Sequence, residues 1–302
     1  MRAACAEVAS VSRWVRIDRD AIPAYAASLP AATFRAELDP ETHFLGQGAS
    51  TAAYMLTLAA VNFGSGYFPH LRRRDRRSGY FHIARALKER WEVVGPLTPS
   101  GLAAIRVADC RAIFDQPAEG PAAELMQLFA EALNAFGRHL VAHHRGSFEA
   151  LLETAGGSAE RLAGLLAEVP FFDDVHPYRH LVVPLYKRAQ IAPADLQLAI
   201  GGFHGLERLT IFADNLVPHV LHLDGVLAFD EVLAERIERE ELLTSGSEEE
   251  VEMRACAVQA VELIKAAIPG RTAMELDHLL WNRGQGPEYK ARPRPRCRTV
   301  FY

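Results

Sequence analysis

Three stretches of the 302-residue chain gather residue types able to do chemistry. They are Tyr186-Lys-Arg-Ala-Gln190, Phe212-Ala-Asp214, and Leu276-Asp-His-Leu-Leu-Trp-Asn282; the last is followed by Gln285, Tyr289 and an arginine ladder at Arg292, Arg294, Arg296 and Arg298. In the middle stretch one carboxylate, Asp214, sits in an otherwise apolar run, Leu209 to Leu221, where a charge must pair, protonate or do chemistry. A helix cap or turn is the alternative reading, because Asp is a common cap. Together the stretches offer a lone carboxylate, an aromatic platform, an Asp277-His278 pair and several cations. That inventory suits breaking a glycosidic bond beside a phosphorylated sugar. Cleaving an N-glycosidic bond develops positive charge on the anomeric carbon, which a fixed carboxylate stabilises. Aromatic rings sandwich a departing base, and Lys or Arg holds a phosphate. Taken singly, each residue has a plainer role: Lys187 and Arg188 as surface charges, Phe212 as core, Asp277-His278 as a helix-surface pair.

Standard signatures are absent: no G-x-G-x-x-G, Walker loop, H-E-x-x-H or G-x-S-x-G occurs, which weakens dinucleotide, nucleotide-triphosphate, zinc-protease and hydrolase-elbow readings. The net charge of -5 and pI near 6.2 argue against a general nucleic-acid coat. Hydrophobic residues at 49% and charged residues at 24% describe an ordinary folded protein with a sizeable core. Cys5, Cys110, Cys256 and Cys297 form no C-x-x-C, so neither a zinc site nor a disulfide framework is suggested and a reduced, cytoplasmic setting fits. The N-terminus lacks a signal-peptide core, and the longest apolar run, 52 to 63, is too short to span a bilayer.

Strand signals are sparse and helix signals dense, so the expected fold is mainly α, a single globular domain over 1–302. The pattern predicts a helix over 18–38 that tolerates Pro23 only in its first turn, and further helices over 50–63, 79–91, 122–143, 147–155 and 158–168, with a short one from about 101 and Ser158 as an N-cap. Residues 170–180 read as loop and 181–186 as a short extended piece. Helices follow over 187–200, interrupted at Pro193, then over 230–243, 247–267 and 273–281. Ser247-x-x-Glu250 has the capping-box form. The run Arg72-Arg-Arg-Asp-Arg-Arg77 reads as a solvated loop, with an anion-binding patch as the alternative. His143-His144 reads as a core-edge or cap pair rather than a metal site.

A resemblance adds to these readings. Tyr186-Lys-Arg-Ala-Gln-Ile191, Thr210-Ile-Phe-Ala-Asp214 with Pro218, Glu250-Val-Glu-x-Arg254 with Val261-Glu-Leu-Ile264, and Leu276-Asp277 with Trp281 look like motifs of the queuosine salvage family. Val61-Asn-Phe63 and Ser78-Gly-Tyr-Phe81 resemble its N-terminal motifs, so the likeness runs over nearly the whole chain. It implies hydrolysis of queuosine 5′-phosphate to queuine and ribose 5-phosphate, serving queuine salvage for tRNA modification. No metal or cofactor is implied, and the body resembles the helix-hairpin-helix DNA glycosylases. Asp214 is then the catalytic carboxylate, and Phe212 and Asp277 match positions that contact the base. His278 and Asn282 stand where animal members carry a tyrosine and an aspartate. Tyr186 and Lys187 are further substrate contacts, with Lys187 toward the phosphate, and His43 in Pro40-Glu-Thr-His43 is an N-terminal base or sugar contact.

The implied base is a 7-deazapurine, whose missing ring nitrogen removes the usual site of leaving-group protonation, so a tight grip on the base matters more. Its substituent carries a secondary ammonium, for which Asp277 is a sensible partner. The rival readings are a DNA-repair-type glycosylase and a non-catalytic helical module that binds queuine-containing tRNA. The acidic balance counts against both; neither a stable nucleic-acid complex nor membrane attachment is expected. Ionic strength separates them, because a polynucleotide binder loses affinity steeply with salt.

Overall fold

The computed structural model describes residues 1–30, 36–75 and 77–302. Helices dominate the described chain and its strands are short and paired two by two, which is the mainly α class expected. The chain alternates between two compact units. Residues 1–36, 174–187 and 207–298 make up the first, and 37–173, 188–206 and 299–302 the second. Because the chain returns to each unit, no contiguous linker marks a boundary in the sequence.

The first unit is organised on helix Glu248–Ala267, which packs against helices Arg2–Val11, Ile22–Ser28, Leu216–Leu223 and Ala273–Arg283. Val251, Met253, Val258, Val261 and Ile264 are buried along it, and so are Glu250, Glu252 and Arg254. A helix enclosed on all sides is normally apolar all round, so each buried charge needs partners. Glu252 accepts the backbone N–H groups of Arg13, Trp14 and Val15 at 2.5 to 3.1 Å and the Tyr178 hydroxyl at 2.7 Å. It thereby fixes strand Val15–Ile17, which pairs antiparallel with Leu227–Phe229. Ser247 Oγ accepts the Glu250 N–H at 3.4 Å, but the Glu250 carboxylate accepts from Gly246 N at 3.2 Å instead of completing the expected box. Helix Ala273–Arg283 has a closed capping box between Thr272 and Glu275 that the sequence reading passed over.

Several boundaries differ from the expected ones. Helix Ile22–Ser28 does hold Pro23 in its first turn, but strand Val15–Ile17 precedes it; residues 31–35 of the expected 18–38 helix lie outside the described residues. Part of the predicted 170–180 loop is strand, Val175–Tyr178, in a hairpin with Leu181–Pro184. Helix Glu231–Glu238 stops short of 243 because Leu242–Leu243 pairs in parallel with Arg296–Cys297. Helix Lys187–Ile200 continues through Pro193, giving up one backbone hydrogen bond there.

In the second unit the long helix Pro121–His143 buries Leu125, Phe129, Ala132, Phe136 and Leu140 on one face. Phe63 and Phe114 stand edge-on to Phe129 at 5.0 and 5.2 Å, the favoured aromatic geometry. Gly137 lets helix Pro99–Ala104 approach its backbone directly, where a Cβ would strike the Ala103 nitrogen. Within the arginine run, whose Arg76 lies outside the described residues, Arg72, Arg74 and Arg77 pair with Asp115, Glu89 and Asp39. His139, one turn before His143, has its ring 4.8 Å from that of His143 and 5.3 Å from that of His144. Even so, no group of three or more His, Cys, Asp or Glu among the described residues is arranged to hold a metal ion. All four cysteines are buried and none is in a disulfide. No described helix is long and apolar enough to cross a membrane.

Gly284 closes the contact between helices Ala273–Arg283 and Leu216–Leu223 in the first unit. A Cβ there would lie 2.8 Å from Leu216 Cδ1 and 2.9 Å from Val220 Cγ2. Gly284→Ala should therefore destabilise the protein by about 1–3 kcal/mol through overpacking, read as a lower urea midpoint at unchanged m-value; a midpoint equal to that of the parent would show that the two helices simply move apart.

Candidate active site

Phe212, Ala213 and Asp214 precede helix Leu216–Leu223, and each is pinned by a different element. The Phe212 N–H donates to Asp277 Oδ1 at 2.8 Å, from helix Ala273–Arg283. The Ala213 carbonyl accepts from Arg254 Nε at 2.8 Å, from the central helix. Asp214 Oδ1 accepts the N–H groups of Leu216 and Val217 at 2.7 and 3.2 Å. The last pair of bonds is a helix cap, so the capping role weighed in the sequence is present. It occupies one oxygen only. Asp214 is half-buried, and its Oδ2 receives no hydrogen bond from the described residues.

Phe212, His278, Asn282 and Asp277 make up the surroundings of this segment. Phe212 is buried, and its ring meets that of His278 at 6.1 Å between centroids, edge to face. Burial pushes the His278 imidazole down to about 4, so it is uncharged at neutral pH. Its Nδ1 is shielded from solvent and has no hydrogen-bond partner among the described residues. Asn282, one turn on, is exposed and donates its amide back to the His278 carbonyl at 2.7 Å. Asp277 is buried, with the oxygen that meets Phe212 committed to the backbone.

Tyr186 and Lys187 reach the same network through Asp174, which the sequence reading did not single out. The Asp174 backbone carbonyl accepts from the N–H groups of Leu185 and Tyr186 at 2.9 and 3.3 Å, and its Oδ2 accepts the Lys187 N–H at 3.0 Å. These bonds hold Tyr186 at φ +47°, in the left-handed region, a conformation that costs a non-glycine residue of order 1–3 kcal/mol unless its surroundings fix it. Both Asp174 oxygens in turn receive Arg254, at 3.0 Å from Nη1 and 2.5 Å from Nη2. Burial alone would raise the Asp174 carboxyl, but the Arg254 charge and the hydrogen bonds from His176, Arg254 and Lys187 hold it well below the usual carboxylate range. Glu250 and His176 complete the surroundings of Arg254 at 3.3 Å each.

Of the residues predicted from sequence, Phe212, Asp214, Asp277 and His278 are thus in one hydrogen-bonded and packed cluster. Tyr186 and Lys187 join it through Asp174 and Arg254, while Asn282 lies on the exposed side of its helix. His43 belongs to the second unit, where it is buried, with Nε2 2.8 Å from the Tyr80 hydroxyl and Nδ1 3.0 Å from the Asp39 carbonyl. Arg254 and Asp174 are the residues the sequence reading missed as parts of the site. One signal was available: Glu250 and Arg254, one turn apart, share a helix face while Glu252 lies on another, so the three cannot all point to solvent when apolar residues surround them.

Asp214 is thus a carboxylate anchored by backbone N–H groups on a mainly helical body, two residues after an aromatic ring that packs against an imidazole. The chain belongs to the queuosine salvage protein family, whose model matches residues 42–302. It is 36% identical to a queuosine 5′-phosphate N-glycosylase/hydrolase of Sphaerobacter thermophilus, over 95% of this chain and 93% of that protein. Proteins of the same description from Dictyostelium discoideum and Mus musculus are 31% and 28% identical, over 83% and 98% of this chain and 78% and 96% of theirs.

The half-buried neutral His278 makes stability depend on pH. An unfolded histidine titrates near about 6.5, so as pH falls from there toward 4 the unfolded chain binds this proton first and folding loses its advantage. His278→Gln should flatten the fall of Tm between about pH 6.5 and pH 4. An unchanged slope would assign the acid sensitivity to the other histidines that burial lowers, His43, His139, His144 and His219.

Proposed function

We propose that this chain hydrolyses the N-glycosidic bond of queuosine 5′-phosphate, releasing queuine and ribose 5-phosphate. The observation that carries the reading is Asp214, with Oδ1 fixed by two backbone N–H groups and Oδ2 open, in a chain similar over nearly its whole length to proteins named for that reaction. As the bond from the anomeric carbon to the base nitrogen breaks, its electron pair leaves with the base and positive charge grows on the sugar. The Asp214 carboxylate stabilises that charge without reorganising, because its anchored oxygen fixes its direction. Water then adds to the anomeric carbon, and one proton from it goes to the departing base.

Phe212 and His278 make the apolar wall against which the base is held, and Asp277 contributes polar recognition at its edge. Asn282 reaches the base by exchanging its hydrogen bond to the His278 carbonyl. Tyr186 and Lys187 face the sugar phosphate. A mononucleotide substrate is also favoured over a polynucleotide by the tail arginines, since Arg292 and Arg296 are already paired with Glu238 and Glu240 at 3.3 and 2.9 Å.

Incubation with queuosine 5′-phosphate and with queuosine, followed by chromatography for free queuine, tests the reading; release from neither overturns it. Asp214→Asn should lower kcat by about 10²–10³-fold or more while leaving queuine binding close to that of the parent, and near-normal turnover would remove Asp214 from the mechanism. Lys187→Ala should reduce the preference for the phosphorylated substrate roughly ten- to hundredfold, the worth of one hydrogen bond to a charged group. An unchanged preference would place the phosphate elsewhere.

A further inference from the structure

Asp174 and Arg254 hold two separate stretches of the candidate site. Asp174 fixes the turn at 185–187 through three backbone N–H groups, those of Leu185, Tyr186 and Lys187. Arg254 fixes the Ala213 carbonyl, one peptide before Asp214. The two are joined to each other by a two-pronged contact between guanidinium and carboxylate, at 3.0 and 2.5 Å. Both are essentially removed from solvent, so neither exchanges these bonds for water. The guanidinium uses Nε for Ala213 and its two terminal nitrogens for Asp174, a division of labour that the single ammonium of lysine cannot reproduce.

Resting on the reading given under Proposed function, we propose that Arg254 and Asp174 are positioning residues for catalysis: this one ion pair sets the placement of the Asp214 carboxylate relative to the Tyr186-Lys187 turn. Neither residue touches the reacting atoms. Their effect is geometric, and geometry is costly in catalysis, since a misplacement of about 1 Å can lower a rate about 10²-fold. A purely structural pair would alter the folded fraction and leave turnover per folded molecule unchanged.

The test compares Arg254→Lys, which keeps the charge opposite Asp174 but loses the fork, with Glu252→Gln. The latter weakens a buried carboxylate on the same helix that serves the Arg13–Val15 backbone and Tyr178 and no part of the site. Thermal denaturation gives the folded fraction of each, and kcat and KM for queuosine 5′-phosphate are scaled to it. Glu252→Gln should lose stability and keep kcat per folded molecule within about twofold. Arg254→Lys should keep KM within about threefold and lose about 10²-fold in kcat. A kcat within threefold of the parent for folded Arg254→Lys overturns the proposal, as does an equal loss in both variants.

Asp174→Glu, which retains both charges and shifts the carboxylate by one methylene, repeats the reading should Arg254→Lys fail to fold. If neither folds, the pair serves stability and the positioning role is rejected. The parent protein separates the two levels: no queuine released by the parent overturns the proposed function itself, whereas an active parent with an unaffected Arg254→Lys overturns only the positioning role.

Discussion

The buried contact between Asp174 and Arg254 is the constraint on which the first unit depends. Taking two charges out of water costs several kcal/mol per ion, and the attraction between them recovers this only when the geometry is good and the remaining donors and acceptors are satisfied. Here they are. Arg254 spends its Nε on a backbone carbonyl and its terminal nitrogens on Asp174, with Glu250 and His176 alongside. Asp174 collects backbone N–H groups from the adjoining turn as well as the guanidinium. The pair therefore organises backbone that no apolar contact could hold in register, because burial is non-directional and hydrogen bonds are not.

The same helix serves as hydrophobic centre and as polar framework. Glu252 gathers the backbone of residues 13–15, Glu250 gathers Gly246, and Arg254 gathers Ala213. Apolar residues between them fill the core. The arrangement explains why a charged motif occupies the central helix of the unit. The two readings of Asp214, cap and catalytic group, are also compatible with each other. A carboxylate has two oxygens, and the capping bonds fix one of them in a way that aims the other.

Much of the fold was legible from periodicity and caps. The helices near 50–63, 79–94, 121–143, 148–167 and 248–267 follow from apolar spacing, and Ser158 and Ser247 accept the N–H three residues on as their positions suggest. Of the strands only Leu181–Pro184, within the extended piece expected over 181–186, was legible, since Val175–Tyr178 contains His176 and Pro177, and Leu242–Leu243 is extended only because Arg296–Cys297 lies beside it. Pairing of that kind is supplied by distant chain, and a two-residue strand has no period to detect. Helix Lys187–Ile200 likewise tolerates Pro193 against its local preference, as tertiary packing often overrides propensity.

By itself the sequence determined the helical class, the family, and Asp214 as the carboxylate to watch, because composition, spacing and motif order are properties of the chain alone. Only the tertiary structure decided which Asp214 oxygen is open, that Asn282 turns back on its own helix, and that His43 lies in the second unit. It also decided that Asp174 and Arg254, 80 residues apart, form one ion pair. The physical reason is that a charge takes its meaning from the groups within a few ångströms of it. For a buried charge those groups come from wherever the fold brings the chain back.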